Sequence, residues 1–235
     1  MGGELTGGEG SLAKNLIVEG LGTFMFAYVF LYSGKSEFIF LSVVTVLNWC
    51  CFALSGAHFN PVITLSLMVK NKIDPMKGVW YMVVQFGATL LSALMVYLND
   101  TVPHASRELY WDIKSPRWLG GGDRSFFALV YEFVGTFIFI MIYFAAVIGR
   151  GGKSAMCGFI IGLGFMFASS MISGHTGGCL NPFFYICPRL LIMKLKDIVW
   201  YILGPCLGGI LGGFAYEPLI GSSVSEDETP NTSLA

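Results

Sequence analysis

Long apolar runs dominate this chain of 235 residues and restrict what it can fold into. A helix needs about 20 mostly apolar residues to cross a bilayer. Only 12% of the residues are charged and 54% are hydrophobic, whereas soluble domains carry about 25% charged residues. The sequence therefore predicts an all-α, multi-pass integral membrane protein in contact with a lipid bilayer, in a plasma or an intracellular membrane. The six predicted spans are residues 12–32, 38–54, 79–98, 125–148, 155–172 and 198–220.

The charge balance and the motif content argue against several other classes of protein. A net charge of −1 lacks the basic footprint that nucleic-acid binding requires, so we expect no nucleic-acid partner. The six cysteines show no metal-ligand or redox spacing. No HExxH, GxSxG or P-loop motif occurs in the sequence. We therefore expect no catalytic residues, no metal site and no cofactor, and interpret the chain as a protein other than an enzyme.

Two further apolar runs, residues 61–69 and 182–193, are too short to span a bilayer, and both begin after an asparagine with a proline. Proline suits the first turn of a helix, and asparagine before it is a good N-cap. The sequence therefore predicts two half-helices that enter the membrane without crossing it, beginning after Asn60 and after Asn181.

The two halves of the chain repeat each other. The motif that starts at Glu19 recurs at Glu132, 113 residues later, and Asn60-Pro61 recurs at Asn181-Pro182, 121 residues later. Each unit holds three spans and one half-helix, so the second unit is inverted relative to the first. The half-helices then enter from opposite faces, and their N-termini meet near the midplane. The predicted segments are an N-terminal segment (1–11), the first repeat (12–98), a connecting loop (99–124), the second repeat (125–220) and an acidic, disordered tail (221–235).

Asn60 and Asn181 are the strongest candidates for a functional role. Helix N-termini carry unsatisfied N–H groups and a partial positive charge, so two facing termini disfavour cations and protons. The side-chain amides would act as central hydrogen-bond donors to a passing water or neutral solute. The alternative is that both asparagines only cap helices in a packed bundle. The residues before the caps would line the path with backbone carbonyls, as irregular backbone at membrane depth lies inside protein or along a wet cavity: Gly56, Ala57, His58, Gly177 and Cys179.

Two carboxylates lie within apolar spans, where a charge is costly and needs a purpose. Glu19 and Glu132 occupy equivalent positions in the two repeats. We interpret both as loop-stabilising groups that accept hydrogen bonds from the irregular loop of their own repeat, with proton transfer as the alternative. His58 is interpreted as a loop-packing residue, with pH gating as its alternative.

The two loops, Ser-Gly-Ala-His-Phe-Asn-Pro (55–61) and Thr-Gly-Gly-Cys-Leu-Asn-Pro (176–182), resemble the signature loops of the aquaporin, or major intrinsic protein, family. The motifs after Glu19 and Glu132 and the pair Gly204-Pro205 resemble the first, fourth and sixth helices of that family. The resemblance covers residues 12–218. It implies six helices with two re-entrant half-helices, a pore in each subunit, a homotetramer, and passive flow of water or small uncharged solutes.

The sequence departs from the family pattern around the pore. The family usually has alanine after each Asn-Pro, whereas this chain has Val62 and the bulkier Phe183, both of which we expect to line or narrow the pore. An arginine of the family's outer constriction is replaced by Phe184, and an aspartate typical of glycerol-conducting members is replaced by Tyr185. By their distance from the Asn-Pro motifs, the four residues of the outer constriction are Phe40, Ser169, Gly178 and Phe184.

These replacements leave two functions open. An apolar constriction with small residues opposite could pass a larger or less polar solute, or it could dewet and close. We therefore predict a transmembrane channel for passive transport of water or small uncharged solutes. The alternative is a poorly conducting structural or assembly membrane protein on the same scaffold.

Overall fold

The computed structural model describes residues 11–32, 36–99, 126–149 and 156–221. Most of the predicted N-terminal segment, connecting loop and acidic tail lie outside the described residues. Within the described ranges the regular structure is helical. The helices are α1 (Leu12–Tyr32), α2 (Glu37–Ser55), α3 (Pro61–Val69), α4 (Pro75–Leu98), α5 (Phe126–Phe144), α6 (Cys157–Thr176), α7 (Pro182–Leu191) and α8 (Ile198–Tyr216), and π-helical turns extend α5 (Ala145–Gly149) and α8 (Glu217–Gly221).

Six of the described helices are long and apolar enough to cross a membrane, and the two short helices are α3 and α7. The side-chain oxygen of Asn60 accepts a hydrogen bond from the N–H of Val62 at 2.9 Å. The side-chain oxygen of Asn181 accepts one from the N–H of Phe183 at 3.0 Å. A proline follows each cap at the first helical position. Both half-helices therefore begin where their Asn-Pro dipeptides predict.

Among the helix boundaries that differ from the sequence-based prediction, two move by four residues and affect the site. Helix α4 begins at Pro75, four residues before the predicted start, because Asp74 caps it through a 2.9 Å bond from the N–H of Lys77. Helix α6 continues past residue 172 to Thr176 and ends at Gly177, whose left-handed backbone has φ = 93°. The irregular segment before the second half-helix is thus shorter than the sequence suggested.

The two halves pack in matching ways. Helix α1 packs against α2 and α4, and α5 packs in the same way against α6 and α8. Each half-helix lies against the last helix of the other half, α3 against α8 and α7 against α4. The α5–α8 contact is close because Gly208 carries no side chain there, and a Cβ would meet the carbonyl oxygen of Phe133.

The loops before the half-helices have the same backbone shape. Gly56 and Gly177 have φ values of 90° and 93°, and Phe59 and Leu180 have 49° and 50°. The tips of α3 and α7 meet, because the side chain of Asn60 bonds to Leu180 and that of Asn181 bonds to Phe59. The protein has the predicted fold, in which six membrane helices and two re-entrant half-helices form an inverted repeat.

Candidate transport pathway

The side-chain amides of Asn60 and Asn181 join the two halves of the molecule. Nδ2 of Asn60 donates to the carbonyl oxygen of Leu180 at 3.0 Å, and Nδ2 of Asn181 donates to that of Phe59 at 3.5 Å. Each side-chain oxygen is occupied by the cap of its own half-helix. A primary amide has two N–H donors, so after the bond across the loops each asparagine retains one N–H for a further acceptor.

Glu19 holds the first loop through hydrogen bonds to both of its carboxylate oxygens. Its Oε1 accepts hydrogen bonds from the hydroxyl of Ser55 at 2.7 Å and from the N–H of His58 at 2.9 Å. Its Oε2 accepts from the N–H of Phe59 at 2.9 Å and from Nε2 of Gln85 at 3.0 Å. The carboxylate therefore satisfies backbone donors that the irregular loop leaves without partners inside the protein.

Glu132 holds the second loop in the same way. It accepts hydrogen bonds from the hydroxyl of Thr176 at 2.6 Å and from the N–H groups of Cys179 and Leu180 at 3.1 and 2.9 Å. The hydroxyl of Tyr201 donates to the carbonyl oxygen of Thr176 at 2.9 Å. These bonds fix the backbone that carries Asn181, as the Glu19 bonds fix the backbone that carries Asn60.

Phenylalanine rings bring together the two aromatic residues of the predicted outer constriction. The ring of Phe184 lies 4.5 Å from that of Phe30 and 4.9 Å from that of Phe26, between centroids. The ring of Phe40 lies 5.2 Å from Phe30 and 6.5 Å from Phe165. We call these five residues the aromatic cluster. They belong to α1, α2, α6 and α7, so the cluster joins both halves of the protein.

The other two predicted constriction residues contact each other directly. The hydroxyl of Ser169 donates to the carbonyl oxygen of Gly178 at 2.7 Å. Gly178 has φ = 66°, and a Cβ there would collide with the backbone oxygen of Ser169. Ser169, Phe40 and Phe184 are only 3%, 3% and 1% exposed, so these side chains offer little surface to a water-sized molecule.

A small cavity lies beside the first loop. The space open to the centre of a water molecule is about 10 Å³, enough for about one water molecule. Its polar residues are Asn48, His58 and Asn60. Its other lining residues are Phe26, Val44, Leu47, Ala57, Phe59, Ile63, Phe139, Ile161 and Phe165.

The residues after the two Asn-Pro motifs contact neighbouring helices. Val62 is fully buried and lies where a Cβ on Gly209 of α8 would be. The half-buried ring of Phe183 lies edge-on to that of Phe86 in α4, 5.3 Å between centroids. Narrowing of the pore by these two residues stays a prediction.

Arg189 does not take the place of the missing constriction arginine. Its guanidinium lies over the ring of Tyr185, 4.2 Å from the centroid, and Tyr185 in turn stacks on Tyr201 at 3.4 Å. This stack lies toward α8, whereas Phe184 contacts α1. The positive charge and the constriction are therefore on different faces of α7.

Comparison with known proteins agrees with the site geometry. The family model described as major intrinsic protein matches residues 9–216. The chain belongs to the major intrinsic protein family. Like other members of this family of channels, it is a transmembrane channel for water or small solutes.

The relatives of this major intrinsic protein include bacterial and plant channels. It is 27% identical over 211 residues to the glycerol uptake facilitator protein-like 6 of Lactiplantibacillus plantarum, a match that covers 86% of this chain and 95% of the relative. It is 28% identical to aquaporin TIP4-2 of Zea mays, over 72% of this chain and 62% of the relative. The X-ray structure of the aquaglyceroporin from Plasmodium falciparum matches with a TM-score of 0.71 and 23% identity, and covers 92% of this chain and 99% of that chain. The structural match shows that the two proteins share a fold.

Several residues of this channel were absent from the sequence-based prediction. Phe30 and Phe165 lie in uniformly apolar runs and gave no signal. Gln85 and Asn48 could have been found, because uncharged polar side chains inside predicted spans are unusual and need a partner. Gln85 donates to both Glu19 and Thr64, at 3.0 and 3.2 Å.

Proposed function

We propose that small neutral solutes with few polar groups cross this channel between Asn60 and Asn181, and that ions do not. The single observation that carries the proposal is the meeting of the two half-helix tips, joined by amide-to-carbonyl bonds of 3.0 and 3.5 Å. The N-termini of both half-helices concentrate partial positive charge there, which opposes cations. The remaining amide N–H groups would donate to an oxygen or nitrogen of the permeant.

The outer constriction determines which neutral solutes enter. Phe40 and Phe184 supply apolar rings, and the hydroxyl of Ser169 is already bonded to Gly178. A solute loses most of its hydration there, and each uncompensated polar group costs roughly 2–7 kcal/mol. Ammonia has one polar centre, whereas glycerol and urea each have three. We therefore expect ammonia to cross faster than either of them, without chemical change.

Backbone carbonyls would complete the path on both sides of the central pair. We propose that Gly56, Ala57 and His58 contribute them on one side and Gly177 and Cys179 on the other. Ala57 and His58 line the cavity beside the first loop, which supports this role. Glu19 and Glu132 act indirectly, because they hold the loops and do not face the permeant.

Stopped-flow measurements on proteoliposomes test the proposal. The permeation rates of ammonia, water, urea and glycerol are compared with the rates in empty liposomes of the same lipid. We expect ammonia flux above that of empty liposomes, and urea and glycerol flux close to it. Glycerol or urea flux equal to ammonia flux would contradict a constriction that selects against polar groups.

The family resemblance also implies a homotetramer, which we propose for this chain. The subunits would each contain a separate pathway, so assembly is not needed to complete the site. Native mass spectrometry of the detergent-solubilised protein tests this, with the mass of four chains expected. A monomeric or dimeric mass under conditions that preserve activity would contradict it.

A further inference from the structure

Asn48 is a buried polar side chain in the middle of the membrane helix α2, with only 4% of its surface exposed. Its Nδ2 donates to the carbonyl oxygen of Val44 at 2.9 Å. Its Oδ1 has no hydrogen-bond partner among the described residues. Buried side-chain oxygens are normally bonded to protein, water or ligand, so this oxygen requires an explanation.

The bond to Val44 fixes which end of the amide is the acceptor. Exchanging the oxygen and nitrogen of the side chain would place two oxygens 2.9 Å apart, and neither could donate. The free position is therefore an oxygen, which can only accept a hydrogen bond. A group that satisfies it must carry an N–H or O–H.

Asn48 lines the small cavity beside the first loop, together with His58 and Asn60. The apolar side chains of Val44 and Leu47 form the adjacent wall on α2. Asn48 lies eight residues beyond Phe40, which corresponds to about 12 Å along a helix. The rings of Phe26 and Phe165 belong to the aromatic cluster and also line the cavity, so the cavity adjoins the cluster and Asn48 lies beyond it.

We propose that this cavity is a binding station for one small neutral molecule with N–H or O–H groups, and that Asn48 determines its specificity by accepting a hydrogen bond from that molecule. The inference rests on the proposed function in that the bound molecule is the permeant. The space allows about one water molecule, which fits water or ammonia and excludes glycerol. The apolar walls make a bound ion unfavourable.

The arrangement gives the permeant one acceptor and one donor after it leaves the aromatic cluster. Asn48 supplies the accepting oxygen, and the remaining amide N–H of Asn60 supplies the donor. Without the oxygen of Asn48, the α2 wall of the cavity would offer only the apolar side chains of Val44 and Leu47. Replacing Asn48 with leucine, which has a similar volume, should therefore raise the barrier for a hydrogen-bonding solute.

Flux measurements on three variants test the role of Asn48. We expect Asn48→Leu to lower the ammonia and water permeability of proteoliposomes about 3- to 10-fold, as the loss of one hydrogen bond would. Val46→Leu is the matched control, because Val46 lies on the same helix and is 57% exposed on its outer face; its fluxes should equal those of the wild type. Asn48→Ser should retain more flux than Asn48→Leu, because a serine hydroxyl can donate to the carbonyl four residues earlier, as Ser66 does to Val62 at 2.7 Å, and still accept. Equal fluxes for Asn48→Leu and the wild type would overturn the proposal.

A high-resolution cryo-EM map in lipid nanodiscs tests the station without relying on flux. We expect density within about 3.2 Å of Oδ1 of Asn48 in the wild type, and its loss in Asn48→Leu. An empty cavity in the wild type would overturn the proposal. Density without any measurable flux would instead support the station and contradict the proposed function. Fluxes that fall for ammonia alone, or for water alone, identify which of the two molecules depends on the station.

Discussion

The side-chain amide of Asn60 donates a hydrogen bond to the carbonyl oxygen of Leu180, 120 residues further along the chain, at 3.0 Å. The corresponding bond from Asn181 to Phe59 measures 3.5 Å. These two bonds join the two irregular loops of the inverted halves. They make the cap of each half-helix part of the structure of the opposite loop, so capping and the central site cannot be varied independently.

Replacing Asn60 with alanine tests the contribution of this junction to stability. The substitution removes the cap of α3 and leaves the carbonyl of Leu180 without its donor. We expect a loss of about 2–4 kcal/mol, because the cap and a buried unsatisfied acceptor each contribute. Asp74→Ala is the matched control, since Asp74 caps α4 through a bond from Lys77 and has no bond to a second loop within the described residues; it should cost about 1 kcal/mol. The measurement is thermal unfolding in detergent, and equal shifts for both variants would contradict the account.

Neutralising the loop carboxylates tests their structural role. In Glu19→Gln, one of the two oxygens becomes an NH₂ group that faces hydrogen-bond donors, whichever way the amide turns. We expect at least about 2 kcal/mol of destabilisation, and a similar loss for Glu132→Gln. Glu217→Gln serves as the control, because its ion pair with Lys70 is 49% exposed on the glutamate side and should contribute about 0–1 kcal/mol. Equal shifts of the unfolding midpoint for all three variants would argue against a loop-stabilising role.

Two glycine-to-alanine substitutions, four residues apart, should differ in their effect on stability. Gly178 has φ = 66°, and a Cβ would collide with the carbonyl group of Ser169. Gly178→Ala should therefore destabilise the protein by about 1–3 kcal/mol. Gly174 lies in α6 with nothing within 4 Å of its Cβ position, so Gly174→Ala should be neutral or stabilise by up to about 1 kcal/mol. Thermal unfolding of both variants is the measurement, and a loss of stability at Gly174 as large as that at Gly178 would contradict the described geometry.

Truncating Phe184 tests whether the aromatic cluster limits the flow of water. Phe184→Ala removes a ring that contacts Phe26 and Phe30, so we expect osmotic water permeability in proteoliposomes to rise severalfold. Phe167→Ala is the control, because that ring lies on α6 near Phe165 but is 56% exposed on the outer surface. Alanine is a better probe than arginine, since a guanidinium would be buried among the phenylalanine rings at high cost. No rise for Phe184→Ala, or an equal rise for Phe167→Ala, would exclude the cluster as the barrier.

Much of the fold was predictable because membrane insertion imposes a simple pattern. The length of the apolar runs and the Asn-Pro caps predicted α1 and α3 with their observed bounds, since both signals are local. The early start of α4 was also encoded locally, by Asp74 and Pro75, but its first turns are less apolar than the rest of the span. The extension of α6 to Thr176 was not predicted, because Gly174 and His175 are more typical of loops than of membrane helices.

The candidate site residues stood out in the sequence where the repeat supplied a second observation, and their functional roles stay predictions. Equivalent positions in the two repeats singled out Glu19 with Glu132 and Asn60 with Asn181. Phe30 and Phe165 have no such signal, because a phenylalanine that contacts the constriction residues has the same sequence context as one that faces lipid. Their contribution depends on tertiary packing between α1, α6 and α7, which no local pattern in one sequence reveals.

The most direct test of the central claim is the ammonia permeability of wild-type proteoliposomes, measured by stopped flow with proton permeability recorded on the same preparation. A neutral pathway between two positively polarised helix tips predicts ammonia entry clearly faster than in empty liposomes, with proton entry unchanged. Ammonia, water, urea and glycerol rates that all equal those of empty liposomes would contradict the pathway.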